Sequence, residues 1–539
     1  MSSTLKQGAL LFSPQSDEHL DVSTLETWLW DAACKIRGAT DAPKFKDFIL
    51  PLIFYKRLSD VFDDEFAGML ELYEDEALAR EIVEADHTNA LQTGETSIVR
   101  FYVPQEYRWD KLRHHATRGL GEFVTTAMRD VARLNPALQG VLDVKDYSES
   151  LSGQRTLDDE PLAALVEVIS KHRLGLKNAE PDILGRAYEY LLRKFAEGQG
   201  QSAGEFYTPK EVGWLMAELL DPMHKAEVYD PACGSAGLLI KVRLAFEKHH
   251  PQDRTKAPRL YGQELNPVTY AMAKMNMFLH DYTDARIMPG NTFRRPAFAA
   301  TGAGLQKFDY VVANPMWNQD NFTQSDYDND PWGRFALGAP PLNSGEWGWA
   351  QHILASLRDT GRAAIVLDTG AVSRGSGSKS STKEKEIRKA FVEGDFIEGV
   401  ILLPDNLFYN TSAPGIVLLL NKNKPEERTG QILLVNASAY LVKEKPKNVL
   451  SDDGISAVVE VYRRWETREK LSRIVTLEEV SIADYNLSPS QFVEVGERAS
   501  HRPLREIISA LSLAREEREQ ADAILTTLLK QLGLSEGVA

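Results

Sequence analysis

The chain has 539 residues, of which 43% are hydrophobic and 26% charged, and a formal net charge of −16 at pH 7. That size predicts roughly two to four domains with ample core, and the composition is ordinary for a soluble globular protein. No apolar run approaches the ~18 residues a membrane span needs, and the acidic balance argues against a stand-alone DNA-binding domain, whose affinity comes mostly from basic contacts to phosphates.

The first twenty residues, MSSTLKQGALLFSPQSDEHL, lack the basic and apolar regions of a signal peptide. With only Cys34 and Cys233 as cysteines, reduced thiols in a cytoplasmic protein are expected, with no metal cluster. Residues 23 to about 160 read as helical. Ser23 or Thr24 can cap the first helix and Gly38 can stop it. Pro51 is expected to kink or break the next, FKDFILPLIFYKRLSDVFDDEF. Segment 87–112 is polar and irregular, with strand-like character at Ser97–Val103. Its Tyr102, Tyr107 and Trp109 could stack on bases, although local packing is the commoner use of scattered aromatics. Helices then open at Pro161, after the acids Asp158, Asp159 and Glu160, and at Pro181. A glycine-rich loop leads to an amphipathic helix from Pro209, with Val212, Leu215, Met216 and Leu219 on one face.

From there strands and helices alternate. Strands are expected at Glu227–Asp230, Arg259–Gln263, Ala285–Met288, Phe308–Ala313, Ala363–Asp368, Phe396–Leu402 and Gly415–Leu420. Intervening helices make the first five parallel; the last two can form an antiparallel pair. The fold class is α/β, a doubly wound and mostly parallel sheet of the methyltransferase rather than the dehydrogenase form. Residues 374–382, RGSGSKSST, read as a mobile loop, and 441–500 carry little pattern. The tail from Pro503 is a long helix with Leu504, Ile507, Ile508 and Leu511 aligned first, then Ile524, Leu525, Leu528 and Leu532. It either docks on its own domain or pairs with a helix of another chain.

Two stretches carry chemistry. VYDPACGSAGLLI, residues 228–240, is strand, glycine turn and helix. Its small residues let a ligand approach the backbone, and the helix start offers N–H groups to an anion. Cys233 inside it is a small packed residue or a thiol without a neighbouring His to activate it. FDYVVANPMWNQ ends the fourth strand. There the Asn314 amide oxygen and the Pro315 carbonyl can accept both hydrogens of an exocyclic amine, and Trp317 can stack on a flipped-out base. Glu264, closing the second strand, suits the two hydroxyls of a ribose. Asn291, after the third, could meet an adenine edge or simply form a turn.

With these residues in view, the sequence resembles the modification subunit of type I restriction–modification systems, an N6-adenine DNA methyltransferase using S-adenosylmethionine. The resemblance runs from LWDAACKIRG through GEFYTPKEV, DPACGSAG and KEKEIRKAF to LPDNLFYNTSAPGIVLLLNK, nearly the whole chain. It implies cofactor contacts by Glu205, Phe206, Tyr207, Thr208, Pro209, Lys210, Asp230, Gly234, Ser235, Ala236, Gly237, Glu264 and Asn291. It implies that Asn314, Pro315 and Trp317 hold the target adenine, with no metal. It implies double-stranded DNA as substrate, a separate specificity subunit, typically bound by two modification subunits, and optionally a restriction (translocase) subunit. The tail helix is then the natural grip for the specificity subunit. Expected domains are a helical one over 1–160, the methyltransferase domain over 161–495 and a tail over 496–539. Two departures stand out. Met316 replaces the second proline of the family's Asn-Pro-Pro-aromatic motif, which removes a rigid φ, and Asn291 stands where Asp is common. Met316 leaves open a lowered activity or altered specificity, a different amine substrate (protein glutamine or RNA), or a cofactor-binding scaffold.

Overall fold

The computed structural model describes residues 20–40, 44–93, 97–143, 145–151, 154–179, 187, 190–191, 208–280, 282, 284–300, 304–319, 322–328, 330–378, 380–408, 411–444, 447–494 and 504–531. Of the helix expected from Pro181, only Ala187, Tyr190 and Leu191 are described, and all three are helical and buried. The N-terminal part is helical: α1 (Val22–Lys35), α2 (Phe45–Tyr73), α3 (Glu76–Thr93), α4 (Leu120–Leu134) and α5 (Asp159–Ile169). Asp21, not Ser23 or Thr24, caps α1, its carboxylate accepting the Thr24 N–H at 2.7 Å. Pro51 does not break α2. Phe48, Ile49, Leu52, Ile53 and Phe54 around it are all at most 1% exposed, and burial of that face outweighs one missing hydrogen bond.

Ser97–Val103 pairs with no strand among the described residues. Its alternation has another cause. Val99, Phe101 and Val103 are buried, while the intervening N–H groups of Ile98, Arg100 and Tyr102 donate to Asp86, Glu65 and Asn135 side chains. An extended segment thus satisfies its backbone without a ladder. Residues 87–93 belong to α3. Tyr102 stacks on His87, the Tyr107 hydroxyl donates to Asp130, and the Trp109 indole donates to Ser170. All three aromatics serve local packing.

The rest is a nine-stranded sheet. Its strands are β1 (Glu227–Asp230), β2 (Arg259–Glu264), β3 (Arg286–Pro289), β4 (Phe308–Ala313), β5 (Leu357–Asp368), β6 (Ile397–Leu402), β7 (Gly415–Asn421), β8 (Gln431–Asn436) and β9 (Ser472–Thr476). The order is β3-β2-β1-β4-β5-β7-β6-β8-β9. β1 to β5 are parallel neighbours, and β7 runs antiparallel to both β5 and β6. Side chains alternate between two cores. Val228, Val312 and Ala364 pack with α6 (Lys210–Leu220) and α7 (Gly237–His249). Tyr229, Val311 and Ile365 pack with α9 (Glu346–Ser356) and α10 (Lys383–Glu393) on the other side. Val212, Leu215, Met216 and Leu219 are all buried, as their spacing requires. Between these, α8 (Pro267–Leu279) serves two cores: Ala273 and Met277 face the sheet, whereas Met272 and Met275 join the helical core.

β8, β9 and α11 (Asp452–Arg464), which Ser451 caps, were not legible from periodicity. The stretch from Arg374 is also less loose than its composition implies. Arg374 binds Asp368 and Glu384; Arg388 donates to the Arg374 carbonyl and to Ser376; the Gly377 N–H donates to Asp484. The tail is α12 (Leu504–Gln531), and its residues 511–525 are all exposed. Among the described residues no helix is long and apolar enough to cross a membrane.

Candidate active site

β1 ends at Asp230, and the chain turns through Pro231–Ala236 into α7. The turn is left-handed at Gly234 (φ 53°) and at Ala236 (φ 66°), which small residues tolerate best. A Cβ built on Gly234 or Gly237 would meet nothing within 4 Å, so the outer face of the turn is an open cradle. No side chain caps α7, which leaves its first N–H groups to a bound acceptor.

The inner face is fully engaged. Glu264 accepts the Gly234 N–H at 2.9 Å and the Asn266 N–H at 2.7 Å. Asn276 of α8 donates to the Ser235 carbonyl at 2.9 Å, and Thr292 donates to the Pro231 carbonyl at 2.6 Å. The Cys233 N–H reaches the Gln263 carbonyl at 3.0 Å. A Cβ on Gly262 would sit 2.8 Å from the Cys233 sulfur, so the thiol packs tightly against β2. Burial pushes its pKa far up; Cys233 is a packing residue. Burial also raises the Asp230 carboxyl to about 8; the Ala232 N–H opposes this and Glu264 adds to it.

Asn314 follows β4, which lies beside β1 with Tyr229 opposite Val311. That register sets Asn314 next to the glycine turn. Asn314 is 7% exposed. Its amide nitrogen donates to the Thr208 hydroxyl at 3.0 Å, and its Oδ1 is buried with no hydrogen bond. An acceptor of this kind costs about 1–3 kcal/mol unless a bound donor or water satisfies it. Pro315 is buried and Met316 half-buried. Trp317 packs edge-on against Phe408, with ring centroids 4.8 Å apart. Gly415 makes room for both: a Cβ there would come within 2.9 Å of the indole and 2.6 Å of the Phe408 ring.

The structure therefore brings Thr208 to Asn314, and Glu264 to Gly234. Pro209 is buried at the start of α6 and Lys210 is exposed. The Asn291 Oδ1 accepts the Arg294 N–H at 3.0 Å, the turn-forming use. Glu205, Phe206 and Tyr207 lie outside the described residues. Sequence reasoning missed Asn276, whose only signal is a polar residue between two methionines, and Thr292, which nothing in its polar surroundings singles out. It also missed Arg334, buried and donating to the Thr292 and Phe293 carbonyls.

The antiparallel β7 between β5 and β6 is the topology expected of the methyltransferase rather than the dehydrogenase form. Comparison with known proteins agrees. A family model described as N-6 DNA Methylase matches residues 179–501, and one described as HsdM N-terminal domain matches 25–169. The chain belongs to this family: it is a DNA adenine methyltransferase of the type I modification-subunit kind. It is 34% identical to the type I restriction enzyme MjaVII methylase subunit of Methanocaldococcus jannaschii over 88% of this chain and 80% of that one. With the HindI methylase subunit of Haemophilus influenzae it shares 30% identity over 77% of this chain and 92% of that one. The type I restriction-modification methyltransferase subunit from Streptococcus thermophilus superimposes with a TM-score of 0.71 at 27% identity, covering 88% of this chain and all of that one.

Proposed function

We propose that this site binds S-adenosylmethionine over the glycine turn and holds a flipped-out adenine against Asn314. The observation that carries the reading is the buried, unpartnered Oδ1 of Asn314, oriented by Thr208. The residues suit the cofactor. The open faces of Gly234 and Gly237 leave room for it, the uncapped α7 start favours its carboxylate, and Glu264 stands at the ribose end. Asp230, Ser235 and Ala236 shape the cradle, Thr208, Pro209 and Lys210 flank its methionine end, and Asn291 serves the adenine end. When bound, S-adenosylmethionine supplies a methyl group on sulfonium. Asn314 Oδ1 and the Pro315 carbonyl accept the two N6 hydrogens of the adenine, which fixes the nitrogen and frees its lone pair for attack. Trp317, braced by Phe408, supplies an aromatic surface for the base. Stacking worth roughly 1–3 kcal/mol offsets much of the unstacking cost.

The net charge of −16 fits a chain whose DNA recognition lies elsewhere. The domains divide at 1–160, 161–495 and 496–539, and the exposed α12 grips a separate specificity subunit, two modification subunits to one. A restriction (translocase) subunit can join the same assembly. In the test, the chain is mixed with tritiated S-adenosylmethionine and double-stranded DNA, with and without the specificity subunit, and the DNA is digested to nucleosides. N6-methyladenine only with the partner is the expected outcome. Label without the partner would remove the recognition argument, and no label in either case would remove the Asn314 reading.

A further inference from the structure

Five side chains meet behind the catalytic turn: Ser344, Glu346, Asp368, Arg374 and Glu384. Glu346, in the first turn of α9, is wholly buried. Its Oε1 accepts the N–H of Asn318 at 2.7 Å, one residue beyond Trp317. Asn318 is left-handed at φ 51°, a conformation asparagine adopts more readily than other non-glycine residues. The turn is therefore tied at both ends, by Thr208 on the Asn314 side chain and by Glu346 on the Asn318 backbone.

The far side of Glu346 shows what state it is in. Its Oε2 and the Oε1 of Glu384 both lie within hydrogen-bond reach of the Ser344 hydroxyl. A hydroxyl has one hydrogen and cannot donate to both at once, so a proton held on one of these carboxyl groups satisfies the second contact. Arg374 lies 3.4 Å from Glu346, 2.9 Å from Asp368 and 2.9 Å from Glu384. Arg374 alone cannot balance three ionised carboxylates, and the second guanidinium nearby, Arg388, acts on Glu384. Glu346 is the most buried of the three and the farthest from Arg374. Burial and the neighbouring Asp368 raise its pKa, against the opposing pull of the Ser344 and Asn318 hydrogen bonds.

We propose that Glu346 is a positioning residue for methyl transfer: a proton-carrying carboxyl group that fixes the turn after Trp317 and so the aim of Asn314 and Pro315. It touches neither cofactor nor base. The proposal rests on the reading of Asn314 as the amine acceptor. In an Asn314-centred site, a shift of about 1 Å in that turn costs about 10²-fold in rate.

The test uses the full chain assembled with its specificity subunit on cognate DNA, and measures methyl incorporation and S-adenosylmethionine binding separately. Glu346→Ala is expected to lower kcat by about 10–10²-fold while both KM values stay within about threefold. Glu346→Gln keeps an oxygen for Asn318 and gives Ser344 an N–H donor, as a protonated acid does. It should recover kcat to within about threefold of wild type. Wild-type turnover in Glu346→Ala, or equal loss in Glu346→Gln, overturns the proposal. If Glu346→Ala also loses cofactor binding, Ser344→Ala decides: kcat about three- to tenfold lower at unchanged cofactor affinity supports it, and wild-type turnover overturns it. A wild-type complex that methylates no adenine would instead defeat the Asn314 reading, which separates the two failures.

Discussion

The two turns at the centre of the sheet are built on opposite plans. The turn after β1 is braced from within by Glu264, Asn276, Thr292 and the Gln263 carbonyl, and only its outer surface is open. The turn after β4 is tied at its ends and leaves its most useful atom, Asn314 Oδ1, with no partner. A binding surface made of backbone can be finished before the ligand arrives. A catalytic acceptor has to stay unsatisfied until the substrate donates to it, and its neighbours supply the rigidity it lacks.

The sharpest way to break that contrast is Asn314→Ala. It should lower kcat by about 10²–10³-fold, the typical cost of removing one preorganised catalytic group, and leave the dissociation constant for S-adenosylmethionine unchanged in equilibrium dialysis. A parallel loss of cofactor affinity would mean that the two turns are one unit. Asp230 gives the next effect. Its folded pKa of about 8 exceeds the ordinary 3.8, so the folded, ligand-free protein holds a proton that the unfolded chain releases. Its contribution is fully present below about pH 4 and declines as pH rises toward 8. The slope is at most about 1.4 kcal/mol per pH unit. Urea unfolding of Asp230→Asn should lack that slope; identical pH profiles for the two proteins would place the proton elsewhere. The smallest effect is expected for Gly262→Ala. The new methyl meets the Cys233 sulfur and Ile287 at 2.8 Å, and overpacking of this kind costs about 1–3 kcal/mol. The lowered urea midpoint should come with weaker cofactor binding, because the displaced sulfur belongs to the glycine turn.

Much of this was legible in the chain. The glycine turn, the parallel β1–β5, the β6–β7 pair and Asn314 at the end of β4 all follow from local pattern, because a turn that admits a ligand needs small residues at fixed places. Pro51 misled because tertiary burial overrode a local breaker, and Ser97–Val103 misled because side chains replaced a neighbouring strand. Residues 374–378 looked loose until Arg374, Asp368 and Glu384 were seen together. Asn276, Thr292 and Glu346 were invisible for a related reason: each acts on a segment distant in sequence. β8 and β9 escaped because they lie in a stretch of weak pattern and add to the sheet beyond the β6–β7 pair.

The tail helix turns association into a term in the chain's own persistence. Leu511, Leu513, Ile524 and Leu525 stand more than half exposed on a rod of 28 residues, about 42 Å long. Any partner that covers such a stripe, and binds only the folded chain, adds stability by mass action. At a concentration a hundredfold above its dissociation constant, it adds about 2.7 kcal/mol. The population of intact chain then tracks the supply of what binds it, and surplus copies keep an apolar edge open to one another.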